Sequence, residues 1–126
     1  MKEIIYTKSA PEPVGPYSQA IAAGGFLFIS GQGPINPETK QFELGNIKSE
    51  TKRVLENITE ILKAANVTVK DVVKCSVFLT DMKDFKEMNE VYSEYFSEGK
   101  PARTTVAVKE LPFGIKVEIE AIATLK

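Results

Sequence analysis

VVKCSVFLTDMKDFKEMNEVYSEYFSEGKPARTTVAV, residues 72–108, decides the fold of this 126-residue chain. Val73, Cys75, Val77 and Leu79 alternate with Lys74, Ser76, Phe78 and Thr80, the period of two that turns one strand face toward a core. From Asp84 the period lengthens. Phe85, Met88, Val91, Tyr92, Tyr95 and Phe96 make one apolar helical face, with Asp84 as N-cap and Glu87 three residues on completing a capping-box pattern. Gly99 and Pro101 close that helix, and residues 102–108 read as a second strand. Strand, helix and strand in one passage predict a right-handed crossover between parallel strands.

Outward from this passage the same two periods recur. Upstream, Ile47, Val54, Leu55, Ile58, Ile61, Leu62 and Ala65 share a helical face opposite lysines and glutamates, and Asn66 is a left-handed stop. Downstream, residues 116–125 read as a strand with Val117, Ile119, Ala121 and Ala123 on one side and Glu118 and Glu120 on the other. Residues 2–6 make a short strand, and the prolines of residues 10–17 hold an ordered loop. Residues 18–23 and 26–30 flank Gly24-Gly25, a hairpin signal. Residues 31–45, broken by Gly31, Gly33, Pro34, Pro37 and Gly45, form an irregular loop. The order β-β-β-α-β-α-β-β predicts a single α+β domain over residues 1–126, a mixed six-stranded sheet with two helices on one face. The other face carries Phe78, Val106, Val108 and Ile122, too apolar to stay wet, so closed self-association through it is expected.

Composition narrows the chemistry. The chain is 43% hydrophobic and 26% charged, with a net charge of −1, and its basic residues are scattered. A nucleic-acid partner is therefore not expected. No apolar run approaches the roughly 18 residues of a membrane span, and the apolar start is too short for a signal peptide. One cysteine suits a reducing compartment, so a cytoplasmic location is expected. There is no histidine, which excludes Ser-His-Asp and Cys-His nucleophile systems and histidine-bearing zinc sites. Chemistry must then run on carboxylates, Arg, Lys, Tyr, hydroxyls, backbone amides and water.

Within that set, Arg103 begins a strand beside Thr104 and Thr105, a planar fork suited to a carboxylate; the plain alternative is a surface ion pair at a strand edge. Glu118 and Glu120 lie on the face opposite Val117 and Ile119. If that face is an interface, one of them is partly dry and its pKa rises toward general-base territory; the alternative is a solvated glutamate paired with a lysine. Tyr17, in the stiff Gly15-Pro16 loop, either orients a ligand or plugs a sheet edge. Ser30-Gly31 ends a strand where backbone N–H groups can face a ligand. Phe85 opens an apolar helical stripe and reads first as core, though such a position can border a pocket. Cys75 reads as a buried, inert thiol.

Gly15-Pro16-Tyr17-Ser18-Gln19-Ala20, Phe28-Ile29-Ser30-Gly31-Gln32, Pro101-Ala102-Arg103 and Val117-Glu118-Ile119-Glu120-Ala121 together resemble the Rid (reactive intermediate deaminase, YjgF-like) family, over essentially the whole chain. The resemblance implies a chorismate-mutase-like fold that forms a homotrimer through the uncovered sheet face, with sites in the clefts between subunits. It implies hydrolysis of 2-iminobutanoate and 2-iminopropanoate to 2-oxo acids and ammonia, without metal or cofactor. By matching positions, Arg103 would bind the substrate carboxylate, Glu120 would handle the attacking water, and Tyr17, Ser30, Gly31 and Phe85 would shape the pocket. Many members carry a cysteine two residues after the arginine. Here Thr105 stands there, on the same side as Arg103, and offers a hydroxyl instead of a thiol. Two rival readings stay open: a regulatory protein that binds a 2-oxo or amino acid, and a translation inhibitor or ribonuclease, which the charge balance and missing histidine disfavour.

Overall fold

The apolar stripes of the two helices converge on one side of a sheet in the computed structural model, which describes residues Met1–Lys126. Helix α1 spans Ile47–Ala64 and helix α2 Phe85–Tyr95. The strands are β1 (Glu3–Ile5), β2 (Ala20–Ala23), β3 (Phe26–Gln32), β4 (Val72–Leu79), β5 (Ala102–Ala107) and β6 (Val117–Thr124). They lie in the order β1-β2-β3-β6-β4-β5. Only β4 and β5 run parallel; every other neighbouring pair is antiparallel. The mixed α+β architecture is thus the one the sequence predicts, with β6 inserted between β3 and β4.

Local chemistry explains the elements. The Asn46 side chain accepts a hydrogen bond from the Ser49 amide and starts α1. Asn66 ends it at φ 61°, with Asn66 N–H donating to the Lys63 carbonyl and Val67 N–H to the Leu62 carbonyl, the paired bonds of a Schellman turn. Val54, Leu55, Ile58, Ile61 and Leu62 from α1, Met88 and Phe96 from the α2 region, and Val77, Val117, Ile119 and Ala123 from the sheet form one buried cluster. Each fully buried Leu, Ile or Val contributes about 1.5–3 kcal/mol, the main stabilising term. Glu50 is fully buried, yet its carboxylate accepts from the Lys116 amide (2.7 Å) and the Gly45 amide (3.2 Å) and faces Lys116 Nζ at 3.6 Å. It ties the start of α1 to the start of β6.

Three local expectations need correction. Asp84 makes no capping bond, because a 3₁₀ turn over Met82–Asp84 has already put its backbone in the helical region. Asp81 caps that turn instead, accepting from the Lys83 amide. Val73 does not enter the core. A register shift against β6 between Val72 and Lys74 brings Val72 inside and leaves Val73 41% exposed. Strand β3 also runs past Ser30 to Gln32, so the irregular loop begins two residues later than its glycines suggest.

The face away from the helices is apolar and open. Phe26 and Phe28 are 41% and 44% exposed there with their rings 6.4 Å apart, and Val106 is equally uncovered.

Candidate functional site

Arg103 is the second residue of β5, an edge strand. Its register partner on β4 is Cys75, which is buried beneath the helices, so Arg103 points to the helical side. Its guanidinium lies over the ring of Tyr92 at 4.7 Å and near that of Phe85 at 5.5 Å, both from α2. None of the ion pairs in the chain includes it. The surface-pair alternative is therefore not what the fold builds. Two residues on, Thr105 faces the same side, and its hydroxyl is buried without a hydrogen-bond partner. The Tyr92 hydroxyl meets only the weak thiol partner of Cys75, and burial pushes both groups' pKa up. A cleft of about 270 Å³ opens beside Arg103, between Pro101 and Lys100 on one side and Asn89, Tyr92 and Ser93 on the other.

A second group gathers on the opposite face. Pairs Ile29–Ala121 and Gln32–Ile119 leave Ser30 and Gly31 together against Glu120, a two-for-one bulge. A Cβ built on Gly31 would lie 2.3 Å from Glu118 Oε2, so only glycine lets that carboxylate approach the strand. Burial, with a smaller contribution from Glu120, holds the Glu118 pKa above the ordinary carboxylate value. Ser30 is fixed by its hydroxyl, which donates to the Ser18 carbonyl at 2.6 Å. Tyr17 is half exposed; its hydroxyl accepts from the Val14 amide at 3.2 Å, closing the proline loop. That loop is anchored from below by buried Gln19, which accepts from the Thr7 amide and donates to the Thr7, Ala10 and Pro11 carbonyls. Glu120 borders a shallow hollow of about 160 Å³ with Phe28, Lys74, Ser76 and Ile122.

One chain does not bring these two groups together. Arg103 pairs with Cys75 and Glu120 with Ser76, neighbours on β4 whose side chains leave opposite faces of the sheet. From β3 to β5 is three strand spacings, about 14 Å. Arg103, Phe85 and Thr105 form one half, and Ser30, Gly31, Glu118 and Glu120 the other, with Tyr17 next in sequence to Ser18, whose carbonyl Ser30 holds. Sequence reasoning underweighted Glu118, Gln19 and Tyr92. Only the structure singles out Glu118: Gly31 has no left-handed φ to justify a glycine, and the Glu118 carboxylate is what approaches it.

A two-helix, six-stranded mixed sheet with a free arginine at its parallel edge and a carboxylate pair on its bare face defines a class of small α+β proteins. Residues 7–125 match the family model described as Endoribonuclease L-PSP, and the chain belongs to that family, the YjgF/Rid proteins. A RutC family protein of Pyrococcus horikoshii is 58% identical over 98% of both chains. Reactive Intermediate Deaminase A, chloroplastic, of Arabidopsis thaliana is 46% identical over 98% of this chain and 66% of its own length. Among solved structures, Escherichia coli TdcF with bound serine superposes with a TM-score of 0.93 at 40% identity, covering 98% of this chain and 99% of that one. RidA of an Antarctic Psychrobacter gives the same TM-score and coverage at 45% identity.

Proposed function

We propose that the protein is a hydrolytic deaminase of 2-imino acids such as 2-iminobutanoate and 2-iminopropanoate, working without cofactor at a site completed by two copies of the chain. The observation that carries this is the Arg103 guanidinium, held on two aromatic rings without a carboxylate of its own. An arginine so placed is a ready two-pronged clamp for a small carboxylate. Family membership, a relative named Reactive Intermediate Deaminase A and another relative crystallised with serine support the same ligand chemistry. Three copies in a ring would bury Phe26 and Phe28 and set the Arg103 half of one copy against the Gly31 half of the next. A cytoplasmic setting is inferred from the lone buried Cys75.

The chemistry asks little of the protein. Water adds to the iminium carbon, the C–N bond breaks, and a 2-oxo acid and ammonium leave. Arg103 fixes the carboxylate and so orients the carbon. A carboxylate takes the proton of the water and returns one to nitrogen, a step worth about 10²–10⁴ in rate. Sequence matching assigns this to Glu120. Local packing favours Glu118, whose raised pKa and contact with Gly31 suit a proton carrier, with Glu120 as the neighbouring charge that keeps it basic. Thr105 supplies a hydroxyl for the water or substrate, Tyr17 and Ser30 border the pocket, and Phe85 backs the guanidinium.

The test couples threonine dehydratase or an amino-acid oxidase to the purified protein, with semicarbazide trapping whatever imine remains. Faster 2-oxo acid release and less semicarbazone are expected. Identical traces with and without the protein would refute the deaminase.

A further inference from the structure

The cleft beside Arg103 holds a second cation. Helix α2 ends at Tyr95, Gly99 turns the chain at φ 56°, and Lys100 precedes Pro101, which restricts Lys100 to an extended backbone. Three residues of extended chain place the Lys100 and Arg103 backbones at most about 10 Å apart. Both side chains border the same cleft of about 270 Å³. Lys100 is exposed and takes part in no ion pair. No carboxylate of the same chain lines the cleft, and the nearest one along the chain, Glu98, is engaged by Lys70 at 3.5 Å. The remaining polar lining is neutral: the Asn89 amide and the Ser93 hydroxyl, the latter already donating to the Glu90 carbonyl at 2.9 Å.

Two cations that no carboxylate of their own chain neutralises, over neutral polar groups, favour a ligand with two negative charges. We infer that this site prefers dicarboxylic 2-imino acids, with Arg103 gripping the carboxylate next to the imine and Lys100 pairing with the carboxylate at the far end of the side chain. This inference rests on the deaminase reading and names its substrate class. Lys100 is then a specificity residue; it touches no reacting atom, and the hydrolysis itself is unchanged. An ammonium on a flexible stem tolerates several lengths of diacid. The pair stays partly solvated, so its worth is at most about fivefold in affinity and falls as salt rises.

The experiment uses the full chain, Lys100→Gln and Lys100→Glu. Calorimetry compares 2-oxoglutarate with 2-oxobutanoate as stable product probes, and the trap assay compares imines made from glutamate and from 2-aminobutanoate by amino-acid oxidases. The expected result is tighter binding and higher kcat/KM for the diacid. Lys100→Gln should erase that preference, about fivefold, and Lys100→Glu should reverse it. Equal handling of both imines by the native chain, or a diacid preference that survives Lys100→Glu, overturns the assignment while leaving the deaminase intact. Turnover of neither imine defeats the deaminase, and the calorimetric preference then decides the Lys100 assignment as a binding property.

Discussion

Gly31→Ala is the sharpest probe of how the bare sheet face is built. The new Cβ would stand 2.3 Å from Glu118 Oε2, 3.0 Å from its Cδ and 3.2 Å from its Cγ. Ordinary contact begins near 3.4 Å, so the carboxylate must retreat by about 1 Å. The obstacle is the end of a flexible side chain, so the fold gives way cheaply: an off-rotamer glutamate costs about 0.5–1.5 kcal/mol. Gly31 is not in the left-handed region, so alanine also narrows the unfolded ensemble and returns about 0.4–1 kcal/mol. The net change in stability should be within about 1 kcal/mol, a shift in Tm of no more than roughly 4 °C. Turnover is another matter. A catalytic group displaced by about 1 Å loses on the order of a hundredfold in rate.

Thermal unfolding and the semicarbazide assay on the same preparation separate the two effects. In a Glu118→Ala background the three atoms nearest the added methyl are gone, so Gly31→Ala should become stabilising there. Native-like turnover of Gly31→Ala, or identical stability effects in both backgrounds, would refute the contact as the reason for glycine.

Arg103→Lys keeps the charge and loses the fork, so KM should rise at least about tenfold with the fold intact; unaltered kinetics would remove the carboxylate clamp. For Glu118→Gln, turnover should collapse while Tm rises slightly. Burial and Glu120 raise the folded pKa, so the folded chain holds that proton more tightly than the unfolded chain. The resulting stability is complete below the unfolded value of about 4.3 and is lost as pH climbs through the folded one, and at neutral pH the ionised carboxylate is carried at a small cost, below about 1 kcal/mol for a half-buried group. A Gln variant whose Tm gain persists undiminished at pH 3 would contradict this. Glu50→Ala strands the Lys116 and Gly45 amides and should cost about 3 kcal/mol in urea unfolding.

The element order was legible because period and punctuation agreed at nearly every step. Asn66 and Gly24-Gly25 stop a helix and turn a hairpin as their chemistry requires. One error fell where a long-range pairing overrode local pattern, the other at a short lead-in turn. Val73 alternates correctly with Cys75, yet β6 imposes a bulge that puts Val72 in the core. Asp84 looks like an N-cap, yet Asp81 begins the turn three residues earlier. Neither β6 pairing nor a 3₁₀ lead-in leaves a mark in the local period. For the site, strand parity correctly put Arg103 with Thr105 and Glu118 with Glu120. It was silent on which glutamate lies against the bulge, because that depends on a register slip at Ser30-Gly31.

The same parity carries a last prediction. Arg103 and the two glutamates leave the sheet on opposite faces, so in the proposed ring each site takes its arginine from one copy and its carboxylate from the next. Arg103→Lys and Glu118→Gln should then complement each other. Unfolded together in equal amounts and refolded, the two variants assort at random. A site is whole when its arginine comes from the Glu118→Gln chain and its glutamate from the Arg103→Lys chain, which happens at about one site in four. At substrate levels well below KM, where each preparation alone is weak, roughly a quarter of native turnover should return, and it should appear only after subunits have exchanged. A site assembled within a single chain recovers nothing however the variants are mixed, and that result would end the shared-site proposal.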